Sequence, residues 1–353
     1  MLFRSCQKSL PACLAVALSG LIALAGVPAL AQSAADFYRG KTITVYASVA
    51  SGAYDLYARV LARHMQPRID GQPAMIVVNM PGAGGVKAAN YFANIAPRDG
   101  TALLVPLKPV AMTQILRDKG IKYDASKFNW VGSMVDAPGV LTVWHTAPAK
   151  TLADAKKNEV VMASSGFGAE TFIFPTVINS VLGTKFKVVT GYKGMSGMLL
   201  AIERGEAHGV STVYGSLKGL KPKWLSENKV RFLAQISLKR TADLPDVPSV
   251  LEFAKNNDDR EILAFLTLGN VIGRSIVASP GIAVDRLAAL RAAFDQAVRA
   301  PDYLKETVQR GMLVNPTSGA EVQETVNRLI ATPAAIVAKV KVALNSARMQ
   351  KKK

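Results

Sequence analysis

Cysteine is almost absent. The 353 residues hold two, Cys6 and Cys13, both within the first 31. The chain beyond them has no disulfide, no thiolate nucleophile and no cysteine-bound metal to rely on. Histidine is scarce as well. His64, His145 and His208 make neither HExxH nor a spaced pair, so structural or surface roles are expected for all three. No Gly-x-Ser-x-Gly elbow presents a serine nucleophile. No GxGxxG with a distant acid, and no glycine loop ending in Lys-Ser/Thr, marks a nucleotide site. Without a nucleophile–base pair, a metal cluster or a cofactor motif, an enzyme is disfavoured, and neither cofactor nor metal is expected. Acidic residues are few, 25 against 43 Lys and Arg, for a formal charge of +18. Much of the excess reads as solvated surface, and the rest as a positive field favouring small anions. Nucleic acid is not expected, since no basic stripe interleaves with aromatics.

What is present begins with an export signal. Arg4 and Lys8 form a short basic region ahead of an apolar run at residues 14–27. That run is shorter than the roughly 20 residues of a membrane anchor. Ala29-Leu30-Ala31 supplies the small-x-small cleavage pattern. Residues 1–31 are therefore expected to be a signal peptide cut before Gln32. The mature chain, at +16 once Arg4 and Lys8 leave, is expected in a bacterial periplasm. Cys13 precedes the apolar run, which argues against a lipid anchor.

The chain is organised around residues 42–63, TITVYASVASGAYDLYARVLAR. Ile43, Val45 and Ala47 alternate with polar neighbours as in a strand. Ser51-Gly52-Ala53 breaks the run. From Asp55 the apolar spacing becomes that of a helix face. Free N–H groups at such a helix start attract anions. The plan repeats at once: strand at 75–78, turn at Pro81-Gly-Ala-Gly-Gly85, helix at 86–94. Two such turns on one parallel sheet flank a crevice at the strand ends.

The same strand–helix alternation recurs between about 145 and 236, with helices predicted at 170–182 and 195–204. Thr151 with Asp154, and Ser318 with Glu321, are spaced to cap helices. Beyond Leu244-Pro-Asp-Val-Pro-Ser249 the chain turns mostly helical, with Asp258-Asp259 expected in a solvated loop. That tail carries no sheet of its own and is expected to pack back on the first. The fold class is thus α/β and two-lobed, crossed twice by the chain. Residues 36–141 plus 237–353 form one lobe, and 142–236 the other.

Several stretches together resemble one family. They are GKTITVYASVASGAYDLYARVLARHM, IVVNMPGAGGVKAANY, APRDGTALL, VVTGYKGMSGMLLAIERGEAHGV and LPDVPSVLEFA. In this order they are similar to the Bug-type periplasmic substrate-binding proteins of tripartite tricarboxylate transporters. The resemblance implies a periplasmic-binding-protein fold, type II-like, with a ligand cleft between lobes that closes in Venus-flytrap fashion. It implies a small organic anion, typically a carboxylate, as ligand and inner-membrane permease subunits as partners for a monomeric receptor. A sensory receptor for a signalling partner is the alternative, and an enzyme on a related two-lobed fold a further one. The family's first turn is richer in glycine than Ser51-Gly52-Ala53-Tyr54-Asp55, and its acid after Gly-Glu is here His208.

Candidate ligand contacts follow from the turns. The amides of Ser51, Gly52, Ala53 and Tyr54 are expected to hold a carboxylate, with Asp55 facing a ligand donor or capping its helix. With the resemblance, Gly82, Ala83, Gly84 and Gly85 form the opposite wall. From the second lobe, Ser164, Ser165, Gly166 and Thr171 supply donors. Tyr192 adds a phenol or a wall, while Lys193 reads as exposed.

Overall fold

The computed structural model describes residues 33–117, 119–167 and 169–350. The expected signal peptide, with Cys6 and Cys13, and the lysines at 351–353 lie outside the described residues. Strand and helix alternate through the first part: α1 (Ala34–Tyr38), β1 (Thr42–Ala47), α2 (Ala53–Met65), β2 (Ala74–Asn79), α3 (Val86–Asn94), β3 (Ala102–Val105), α4 (Val110–Leu116) and β4 (Asn129–Ser133). A second run follows: β5 (Gly139–Trp144), α5 (Leu152–Lys157), β6 (Val160–Ser164), α6 (Glu170–Leu182), β7 (Phe186–Thr190), α7 (Gly194–Glu203), β8 (Gly209–Val213), α8 (Tyr214–Leu220), α9 (Pro222–Ser226) and β9 (Val230–Ile236). The remainder is largely helical: α10 (Asn257–Ile272), β10 (Ser275–Ala278), α11 (Val284–Arg299), α12 (Pro301–Gln309), β11 (Thr317–Ser318), α13 (Gly319–Ile330) and α14 (Ala334–Gln350).

Local chemistry explains these elements. In β1 the alternation is realised, with Ile43, Val45 and Ala47 buried and Tyr46 half-buried on the other face. Helix α2 buries Tyr57, Val60, Leu61 and His64 along one stripe. Both capping boxes form, Thr151 with Asp154 and Ser318 with Glu321. Asp258 and Asp259 depart from expectation. They sit in the first turn of α10, where Asn256 caps the helix through the Asp259 N–H. Two acids at a positive helix end are stabilising there, so the pair starts a helix instead of filling a loop.

Two sheets carry the fold. The first runs β11-β4-β10-β3-β1-β2, with β1, β2 and β3 parallel and β10 antiparallel between β3 and β4. The second runs β7-β6-β8-β5-β9, with β6 parallel to β7 and β8, and β5 antiparallel to β8 and β9. The chain passes from the first sheet to the second between Ser133 and Gly139 and leaves it after Ile236. The expected lobe boundary at 141/142 thus falls inside β5, a strand that lies wholly in the second sheet.

Helix α13 returns to the first sheet and packs on β4, as the tail was expected to. Helix α14 does not. It packs on α6 and α10, burying Ile336, Val340 and Leu344 in one cluster with Val177 and Ile178. The final helix also touches α4, so it bridges helices that flank both sheets and, among the described residues, packs on no strand of the first. The result is an α/β fold built on two sheets that the chain joins twice.

Candidate functional site

A cavity of about 260 Å³ lies where the two sheets direct their strand ends at each other. Drug-sized pockets run from about 300 to 1,000 Å³, so this one suits a small metabolite. One wall is Tyr54, Leu107, Lys108 and Pro109, from the first sheet's strand–helix turns. The other includes Ser165, Glu170, Thr171, Phe174, Met195, Met198 and the Ser211–Val213 end of β8. A larger groove of about 450 Å³, between α6, α10 and α14, lies away from these turns.

Helix starts converge on the cavity. Tyr54 is the second residue of α2, Glu170 and Thr171 open α6, and Gly194 and Met195 open α7. None of these three helices has a side-chain cap. Helices α5, α10 and α13, away from the cavity, do have one, while α11 and α12, also away from it, lack one. The first N–H groups of a helix need partners, and their aligned dipoles favour an anion. Gly52 allows α2 to start here. At φ 96° its backbone suits glycine, and nothing lies within 4 Å of where a Cβ would stand. Gly85, at φ 86°, would place a Cβ 3.2 Å from Leu107, so the second turn buttresses a cavity-lining side chain.

Two buried cations give the site its electrostatics. Lys108 is 3 % exposed. Its Nζ lies 2.7 Å from Glu170 Oε2, and donates to Asn270 Oδ1 at 2.9 Å and to the Ala137 carbonyl at 3.3 Å. Asn270 in turn donates to the Ile236 carbonyl and accepts the Ala137 N–H. One lysine thus ties both chain crossings, beside Ala137 and Ile236, to α10 and to the start of α6. Arg274 lies over the rings of Tyr54 and Tyr57, 5.5 and 4.6 Å from their centroids, a cation–π arrangement. It reaches Ser216 on α8 at 3.4 Å and has no carboxylate partner among the described residues. Tyr54 Oη accepts the Lys108 N–H at 3.1 Å, and burial pushes its phenol up to about 12, so the ring stays neutral.

The sequence-predicted residues fall into three groups. Tyr54, Ser165 and Thr171 line the cavity. Ser164 and Gly166 shape the loop beneath: Ser164 Oγ bonds Thr171 Oγ1 at 3.0 Å and accepts the Gly166 N–H, while the Ser165 N–H reaches Thr171. Ser51, Gly52 and Ala53 lead into Tyr54 at the rim, and Tyr192 donates its N–H to the Ser164 carbonyl. Gly82, Ala83, Gly84 and Gly85, expected as the opposite wall, all fall outside the lining, with residues 82–84 exposed and Gly85 buried against Leu107. Asp55 is engaged elsewhere: Arg59 and Asn79 hold it, and the Arg59 bond pulls its carboxyl below the usual range. Asn79 also reaches the Val49 carbonyl, so Asp55 stitches the two neighbouring turns together.

Lys108, Glu170, Phe174, Met195, Asn270 and Arg274 escaped the sequence reading. One signal was available. Lys108 is a charge between an apolar strand and Pro109, in VPLKP, an odd place for a solvated lysine. Glu170 looked like an ordinary first-turn acid.

The chain belongs to the tripartite tricarboxylate transporter family receptors, whose TctC profile matches residues 57–342. A UPF0065 protein from Cupriavidus necator is 30% identical over 247 residues, covering 67% of this chain and 71% of the relative. The crystal structure of a TctC solute-binding protein from Polaromonas superposes at TM-score 0.65 and 18% identity, covering 88% of this chain and 99% of that one. MatC from Rhodopseudomonas palustris, solved with bound malate, superposes at TM-score 0.61 and 23% identity, covering 85% and 99%.

Proposed function

We propose that the protein is a periplasmic receptor that captures a small carboxylate between its lobes and delivers it to inner-membrane permease subunits. The observation that carries this reading is the convergence of three uncapped helix starts on one small cavity beside buried Lys108 and Arg274. Family membership and the malate bound by MatC support it. The leader sequence supports export, with cleavage after Ala31.

The moving bodies follow sheet membership, residues 33–138 with 237–333 in one and residues 139–236 in the other, with α14 lying against helices of both. Lys108 and Asn270 sit at the two crossings, where a hinge would flex. A ligand held by helix starts from both lobes favours the closed form, because it binds that form more tightly than the open one.

A thermal-shift screen of the purified protein against mono-, di- and tricarboxylates, sugars and cations tests the proposal. Carboxylates alone should raise the melting temperature. A response confined to sugars or cations would sink it. Gly52→Val, at φ 96° where α2 starts beside Tyr54, should weaken the binding acid at least tenfold while the protein still folds. That is about 1.4 kcal/mol.

A further inference from the structure

The receptor proposal leaves the ligand's second end open, and the cavity wall speaks to it. An ammonium has three N–H donors. Lys108 directs its three at Glu170, Asn270 and Ala137, so none is left for a ligand. Glu170 is in the opposite position. One oxygen, Oε2, meets Lys108 at 2.7 Å. The other has no protein donor among the described residues, and the side chain, 21% exposed, lines the cavity. The remaining wall is apolar in its larger members: Leu107, Phe174, Met195 and Met198. Lys108 is the one cation in the lining, and it is both neutralised and saturated, while Arg274 is outside the lining, over the Tyr54 and Tyr57 rings.

We infer that Glu170 sets the ligand class: the cavity takes a monocarboxylate that carries an N–H or O–H donor away from its acid group, and it discriminates against plain dicarboxylates. The inference rests on the receptor reading above. The acid group goes to the helix-start N–H groups, and the hydroxyl, amide or ammonium goes to the open oxygen of Glu170. A second carboxylate at that place would face Glu170 with no free cation between them. Two carboxylates sharing a site ionise together only at a large cost, so one would have to take up a proton. An acceptor-only group also leaves Glu170 unanswered, whereas a donor completes it.

Isothermal titration of the purified full-length protein with matched straight-chain acids of four, five and six carbons tests this. Each set contains the α,ω-diacid, the ω-hydroxy acid, the ω-amino acid and the unsubstituted acid. At the length that binds best, a donor-bearing acid should bind at least tenfold tighter than the diacid. The hydroxy and amino arms separate a neutral donor from a cationic one. Glu170→Gln keeps the shape and an acceptor for Lys108 but removes the charge, and its fold is checked by circular dichroism. In that variant the preference over the diacid should shrink at least fivefold. A diacid that matches or beats its donor-bearing partner overturns the inference while leaving the receptor reading intact. So does a folded Glu170→Gln variant with unchanged preference. Heat from none of the acids overturns the inference, and the receptor reading falls with it only if the thermal-shift screen also finds no carboxylate.

Discussion

Replacing Lys108 by methionine removes one charge from a place with little water. The lysine is 3 % exposed, and its amine serves Glu170, Asn270 and the Ala137 carbonyl. Methionine keeps the stem's packing against Phe174, over which the amine stands 5.9 Å from the ring centroid. Breaking a buried ion pair from one side typically costs about 3–5 kcal/mol, since the other charge stays behind unpaired. Glu170 retains 21% exposure through the cavity, so its stranded charge keeps part of its hydration and the low end applies. The expected loss is about 3 kcal/mol, or roughly 4 °C in melting temperature for a protein of this length. Glu170→Met should be costly too, because it strands the more deeply buried partner. The double variant Lys108→Met, Glu170→Met removes both charges, and apolar replacement of such a pair is often near neutral. Urea unfolding of the four proteins in the cycle should therefore give a coupling of at least about 2 kcal/mol. If the two single losses add to within about 0.5 kcal/mol, the side chains do not act as a pair and the hinge description fails.

Two other outcomes concern packing and pH. At Gly132, in β4, an added Cβ would stand 2.1 Å from the Phe294 ring. Gly132→Ala should lower stability by about 3 kcal/mol, the range of overpacked cores, as read by chemical unfolding. Arg240 grips Glu252 through both carboxylate oxygens, at 2.8 and 2.7 Å, and holds its carboxyl down to about 2. A depressed carboxylate stabilises the fold above its unfolded value of 4.5 and loses that contribution as pH falls through the folded value. Melting temperatures of wild type and Glu252→Gln should hence differ at pH 6 and converge between about pH 4.5 and pH 2. A gap that stays constant down to pH 2 would show the pair to be inert.

Much of this protein is determined within short windows of its sequence. Period two in β1, the helical stripe of α2 and the capping boxes of Thr151 and Ser318 depend on neighbours a few residues away. Glycines such as Gly52 mark turns for the same local reason, a backbone that other residues adopt at a cost. Strand–helix alternation then dictates α/β layers. The tertiary structure decided the rest. Asp55, beside the first turn, is drawn aside by Asn79 from the end of the next strand. Lys108 and Glu170 meet only because β3 and α6, on different sheets, aim their ends at one cavity. Helix α14 settled across α6, α10 and α4 through Ile336 and Val340, an apolar face with no address written in its own spacing. Local periodicity says which side of an element seeks burial. What it is buried against, and which charges are left facing a ligand, follows from packing between segments far apart in the chain.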